Sequence, residues 1–298
     1  MSASDSQIQY QKMTGTPIPR LISSMAVPTI ISMLITGIYN MADTYFVSCL
    51  NSDSATAAVG VVFSLMALIQ SAGFALGMGS GSLISRLLGQ QRKSEAEAVM
   101  SSGFAAALVI GLLITVAGLA FLDPLMILLG STETILPYAR DYAQYILYGA
   151  PVMISSFVLN KALLSQGHAT LSMVGITVGG VLNMVLDPLF IFVFHMGIAG
   201  AAWATITAQG ISFAGSLVYL RRRQWSFSHG KMELRREILL AILKVGLPTV
   251  TQMVVVNTAY LLVTGMLNPF GTAVAAASGV GLKINTFAGM HCWAIGQA

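Results

Sequence analysis

ISMLITGIYNMADTYFVSCL, residues Ile31–Leu50, holds a single charge, Asp43, in an otherwise uncharged apolar run. A second stretch repeats the anomaly: VGGVLNMVLDPLFIFVF, Val178–Phe194, is apolar except for Asn183 and Asp187. An ionised carboxyl in hydrocarbon is costly, so such a group faces a bundle interior or a water-filled cavity and marks an ion or substrate path. The two runs predict a membrane protein that moves something.

Composition agrees. The 298 residues are 55% hydrophobic and only 9% charged, with mean hydropathy +0.77, whereas a soluble domain carries about 25% charge. Cys49 and Cys292 lie in or at the end of apolar runs and read as small buried hydrophobes rather than a disulfide or metal pair. Residues 1–19 are polar, and no small-residue cleavage pattern follows the first apolar run, which therefore reads as a retained span and not a signal peptide.

A spanning helix needs about 20 mostly apolar residues. Runs of that kind cover roughly 21–49, 55–85, 98–122, 137–160, 169–195 and 196–220. A seventh starts at Val245 and continues without charge to Lys283, and Asn268-Pro269-Phe270-Gly271 supplies a turn that divides it into two. The fold class expected is an all-α polytopic bundle: a six-helix lobe over 20–221, a linker over 222–244 and, over 245–298, the first two helices of a second lobe. Basic residues fall in alternate connections: Lys12 and Arg20, then Arg86, Arg92 and Lys93, then Lys161, then Arg221–Arg223 through Lys244. The opposite side receives Asp53, Asp123, Glu133 and Asp141, with Arg140 the one basic residue. The positive-inside rule then makes the amino-terminal tail 1–19 and the linker cytoplasmic, in the cell membrane. This topological reading is preferred to a nucleic-acid patch at Arg221–Arg223. Leu234, Ile238 and Ile242 at helical spacing suggest an interfacial helix over Met232–Leu243, a solvated linker helix being the alternative.

Offsetting the chain by 220 aligns Pro28 with Pro248, Thr29 with Thr249, Met33 with Met253 and Thr44 with Thr264. A six-span unit returns the chain to its starting side, so the second copy has the same orientation, as in transporters built from parallel repeats. By that logic the second copy would extend well beyond Ala298, and the sequence reads as a part of a longer protein.

Depth ties the polar residues together. Asp43 and Asp187 lie roughly 9–12 Å from the outer ends of the first and fifth spans at 1.5 Å per residue. Tyr142 and Thr205 come to a similar depth on the fourth and sixth. Asn40 and Asn183 sit one turn before Asp43 and Asp187. Such an oxygen-rich level suits Na⁺, and a carboxyl in low dielectric also takes a proton readily. Pro28 and Pro188 each remove a backbone hydrogen bond and permit a kink; Pro188 adjoins Asp187, and a static or an ion-responsive kink both fit. Gly73, Gly77 and Gly81 recur every four residues and read as a helix-packing face, since GMGSG lacks the following Lys of a nucleotide loop.

These features resemble the MATE (multidrug and toxic compound extrusion) family. The segments that carry the resemblance are Pro28-x14-Asp43, SRLLGQQRKSEAE from Ser85, NMVLDPLFIF from Asn183 and GIAGAAWATITAQ from Gly197. The resemblance implies an antiporter that expels organic, often cationic, compounds in exchange for H⁺ or Na⁺, its two lobes flanking a cavity that opens alternately to each side. It implies no cofactor and no obligate protein partner beyond the lipid bilayer. As in DinF-like members, the cation-coupling residues would be Asp43, Asn183, Asp187, Thr205 and Tyr142, four of which (Asp43, Asn183, Asp187 and Thr205) could hold Na⁺. Tyr39, Asn40 and Asn160 would line the cavity, and Pro28 would bend the first helix. NorM-like members carry an acidic residue in the seventh span; here Val263 stands at the repeat position of Asp43, which favours the amino lobe. Lys283 is either a cavity neighbour or a snorkelling lysine. A lipid-linked oligosaccharide flippase of the same superfamily is the alternative, but a pyrophosphate would need several basic residues and the six spans contain none. A membrane-embedded enzyme would need paired acids or clustered histidines, and His168, His195, His229 and His291 are scattered; a channel is the third class.

Overall fold

The computed structural model describes residues 11, 13–50, 52–222, 235–267, 285, 288–289 and 292–297. The Asn268–Gly271 turn, Lys283 and most of the eighth span lie outside the described residues. Helices follow in the order α1 (Ile18–Ser48), α2 (Asp53–Gly89), α3 (Lys93–Ala120), a short α4 (Leu122–Leu128), α5 (Leu136–Ser165), α6 (Ala169–Pro188) continued by a π-helical turn (Leu189–Val193), α7 (Ile198–Arg222) and α8 (Arg236–Leu267). Among the described residues there is no strand. Among the described residues six helices are long and apolar enough to cross a membrane: Ile18–Ser48, Ser54–Gly89, Lys93–Ala120, Leu136–Ser165, Ala169–Val193 and Arg236–Val256. α7 has the length, 25 residues, but is less apolar because Thr205, Gln209, Ser212 and Ser216 share its sequence with the apolar residues.

α5 is the axis of the bundle. Tyr142, Ile146, Leu147, Ile154, Leu159 and Leu163 are all fully buried, and α2, α3 and α7 pack around them. The faces turned away from this core are apolar too. On α6, Val174, Val178, Val181 and Val185 are 45–60% exposed and repeat at helical spacing, which is a lipid-facing stripe. Asn183 and Asp187 occupy the opposite, buried face.

Small residues let these helices approach. A Cβ at Gly73 would stand 2.8 Å from the Phe157 ring, and one at Gly77 3.1 Å from the Lys161 stem, so the glycine stripe is the packing face of α2 against α5. α5 contains Pro151, which has no N–H to offer the carbonyl of Leu147. Thr115 on α3 repairs the loss: its hydroxyl donates to Leu147 O at 2.6 Å. Replacing Thr115 by Val leaves that buried carbonyl unpaired, and we expect a loss of about 1–3 kcal/mol, measurable as a lowered unfolding midpoint in mild detergent. An unchanged midpoint would show that the Pro151 break has another partner.

The structure corrects three expectations. The segment Met232–Leu243 is neither interfacial nor a solvated linker from Arg236 onward: Arg236–Leu267 is one continuous helix. Ile242 is fully buried because its backbone lies in the notch at Gly79, where a Cβ would come within 2.1 Å of the Ile242 carbonyl oxygen. Lys161 is not in a connection, since α5 runs on to Ser165 and stops only where Gly167 takes a positive φ of 80°. Cys49 and Cys292 are exposed rather than buried, because apolar surface that meets lipid has no need of a protein neighbour.

Candidate functional site

Four helices meet at the two carboxylates. α1 packs along α6 with Ile35 and Tyr39 against Gly180, where a Cβ would stand 2.9 Å and 3.1 Å from them. That close approach brings Asp43, one turn beyond Tyr39, to the level of Asp187. The Tyr142 hydroxyl on α5 donates to Asp43 Oδ2 at 3.5 Å. Asn183 Nδ2 donates to Asp187 Oδ1 at 3.3 Å and to Thr205 Oγ1 on α7, also at 3.3 Å. Asp187 and Tyr142 are wholly buried, and Asn183 and Thr205 nearly so. Asp43 is close enough to Asp187 for the two charges to repel, and both act on Tyr142.

Each carboxylate keeps an oxygen in reserve. Asp43 Oδ1, Asp187 Oδ2 and Asn183 Oδ1 are buried without a hydrogen-bond partner. Orphaned acceptors of this kind are costly, and a proton or a hard cation would satisfy them. The set is oxygen-only, which suits Na⁺ or H⁺ better than a transition metal. Among the described residues no three His, Cys, Asp or Glu cluster. Asp187 stands at the end of the α-helical part of its span. Pro188 follows and the chain continues as a π-helical turn through Val193, an irregularity common at functional sites. The start of α7 presses onto it: a Cβ at Gly200 would lie 2.7 Å from the Phe190 carbonyl carbon.

A cavity of about 330 Å³ runs inside the bundle, and Tyr39, Asn160, Asn183 and Thr205 line it. The carboxylates do not. Asn183 and Thr205 form the partition between the cavity and the acidic pair. Asn40 is half-buried and is not part of the lining, which separates it from the expected cavity set: it lies on a different face of α1 from Tyr39. Asn160 takes part at the far end, where its Nδ2 donates to Ser156 Oγ at 3.4 Å and its Oδ1 accepts from Ser172 at 3.5 Å. Pro28 is buried inside α1, and its carbonyl accepts from Ser32 Oγ at 2.9 Å.

Lys161 was missed. The expectation that the six spans hold no basic residue fails, because Lys161 lines the cavity and donates to Gln297 Oε1. Carrying α5 to its glycine stop at Gly167 would have put it inside the helix. One lysine is still short of what a pyrophosphate requires. Asp123, on the short α4 outside the membrane-spanning helices, pairs with Arg140 near the start of α5, and the hydrogen bonds from that guanidinium hold the Asp123 carboxyl below the usual carboxylate range.

Comparison with known proteins now adds the lineage. The MatE family model matches residues 28–189, more than half of the chain and the whole run from Pro28 of α1 to the π-helical turn that follows Pro188. The chain is 27% identical over 285 residues to the multidrug export protein MepA of Staphylococcus haemolyticus, covering 95% of this chain and 63% of that protein. It thus spans under two thirds of the length of the curated relatives it matches. A multidrug resistance MATE family transporter of the MOP superfamily, solved in an outward-facing conformation, superposes with a TM-score of 0.87 at 28% identity over 93% of this chain and 62% of that one. A MATE solved in a bent conformation gives 0.87 at 26% identity over 100% and 66%. The chain is an all-α, multi-pass membrane protein, and it belongs to the MatE family of transporters.

Proposed function

We propose that this chain belongs to a cation-coupled antiporter that exports organic, often cationic, compounds by alternating access. Residues 20–221 form its amino-terminal lobe, and the helix that runs on from the linker opens a second lobe. The observation that carries the reading is the acidic pair itself: two carboxylates and an amide, with three buried oxygens left unpartnered, set behind the wall of an internal cavity. H⁺ or Na⁺ is the coupling ion, held at Asp43, Asn183, Asp187 and Thr205 with Tyr142 above Asp43.

The physical route from ion to transport is a differential affinity: an ion shifts an equilibrium between two shapes only by binding one better than the other. Neutralising Asp43 and Asp187 removes their mutual repulsion and lets α1 and α6 close. Pro28 in α1 and the π-helical turn after Pro188 are the points where those helices can bend at low cost. In this reading the amino-terminal tail and the linker are cytoplasmic, which the positive-inside rule supports.

The test is gradient-driven flux. The whole protein in proteoliposomes is expected to accumulate ethidium against its own gradient when a Na⁺ or proton gradient is imposed. Accumulation that is indifferent to both gradients would remove ion coupling from the reading, and no accumulation under any gradient would remove transport.

A further inference from the structure

Lys161 is the ionisable side chain of the cavity that the acidic site does not use. Its stem lies in a groove between two glycines of α2: a Cβ at Gly77 would be 3.1 Å from Lys161 Cγ, and one at Gly81 3.5 Å from Lys161 Cβ. The groove holds the stem and leaves the ammonium at the cavity wall, where it donates to Gln297 Oε1. That partner is neutral. Among the described residues no carboxylate forms an ion pair with Lys161, and no Asp or Glu lines the cavity. An ammonium carries three donors, and a charge withdrawn from water without a counter-charge is costly.

The surroundings define what would answer it. Phe74 and Phe157 pack with ring centroids 4.9 Å apart, and with Tyr39 they give the cavity an aromatic wall. Asn160 and Ser172, hydrogen-bonded to one another, add polar atoms to the cavity lining. A second cavity, of about 290 Å³, adjoins the same lysine, and Lys161 and Gln297 line both. The acidic pair is remote from this lysine: the rise along α6 from Ser172 to Asn183 is ~16 Å.

We propose that Lys161 makes this end of the cavity an anion subsite, and that the ligands of the cavity include amphiphiles with an aromatic body and a carboxylate. The inference rests on reading the cavity as a substrate path and adds a ligand class to it. The carboxylate takes the free donors of Lys161, and the aromatic body lies against Phe74, Phe157 and Tyr39.

Equilibrium dialysis of the whole protein in nanodiscs, without any ion gradient, tests this with 1-naphthylacetate and its neutral analogue 1-naphthylacetamide. The carboxylate is expected to bind about tenfold more tightly, the worth of one charge-assisted hydrogen bond. Lys161→Met should abolish that ratio, and Lys161→Arg should keep it. A ratio near one in the unmodified protein, or a ratio that survives Lys161→Met, overturns the proposal. The first comparison needs no variant, so it decides even if a substitution prevents folding. Gradient-driven ethidium flux with no carboxylate preference would sink the lysine subsite alone; a carboxylate preference with no flux would sink the transport reading alone.

Discussion

Asp43→Asn and Asp187→Asn are each expected to lower ion-driven flux on the order of 100-fold, and the double variant is expected to be no worse than either single one. The reason is geometric. The two carboxylates sit at one level and repel one another, and each retains a buried, unpartnered oxygen. Asn183 bridges Asp187 to Thr205, while Tyr142 reaches Asp43. A group that works as a unit loses its function with any one member, so the losses do not add. An amide in place of either carboxyl removes the charge that makes ion binding differ between the two shapes, and an ion that binds both shapes equally shifts nothing. Neither variant should unfold, since Asn fills the volume of Asp. Flux near the unmodified level in either single variant would dissolve the coupled site.

Hydrogen exchange with and without Na⁺, and across pH, locates the same site. Protection is expected to change in α1, α5, α6 and α7, and to stop responding in Asp43→Asn. α8 contains Glu237 in its first turn and no other carboxylate as far as Leu267, so it has nothing at membrane depth with which to hold a cation. An ion response that persists in Asp43→Asn and maps to α8 would assign the site to the other lobe.

The second large effect concerns α8 itself. Gly246→Val should destabilise the protein by about 3 kcal/mol, at the upper end for overpacking. A Cβ at Gly246 would lie 1.9 Å from the Ala75 carbonyl oxygen, and a Cβ at Gly79 2.1 Å from that of Ile242. The two helices thus cross backbone to backbone through reciprocal notches, a contact that depends on close van der Waals packing in lipid. Neither wall is a flexible side chain, so the strain cannot be relieved by a rotamer change; α8 must move away. The expected signs are a lower unfolding midpoint in mild detergent and faster proteolysis of α8. Gly60→Ala is the control: it lies within α2 with nothing within 4 Å of its would-be Cβ, and it should be neutral or slightly stabilising. An unaltered midpoint in Gly246→Val would mean that α8 is not docked on α2.

The sequence alone determined what depends on position along one helix. Apolar length gives the spans, and a rise of 1.5 Å per residue converts residue counts to depth, so Asp43, Tyr142, Asp187 and Thr205 could be set at one level before any packing was known. The spacing of Gly73, Gly77 and Gly81 likewise names a packing face, because residues four apart share one side of a helix. What depth leaves open is azimuth. Whether a residue at the right level turns toward the cavity, the core or lipid follows from how helices cross, and that is a property of pairs. Only the tertiary structure therefore separates Tyr39, which lines the cavity, from its neighbour Asn40, which does not. It also sets Asn183 and Thr205 between the carboxylates and the cavity, gives the Leu147 carbonyl to Thr115, and turns Lys161 inward along a groove made by Gly77 and Gly81 of another helix.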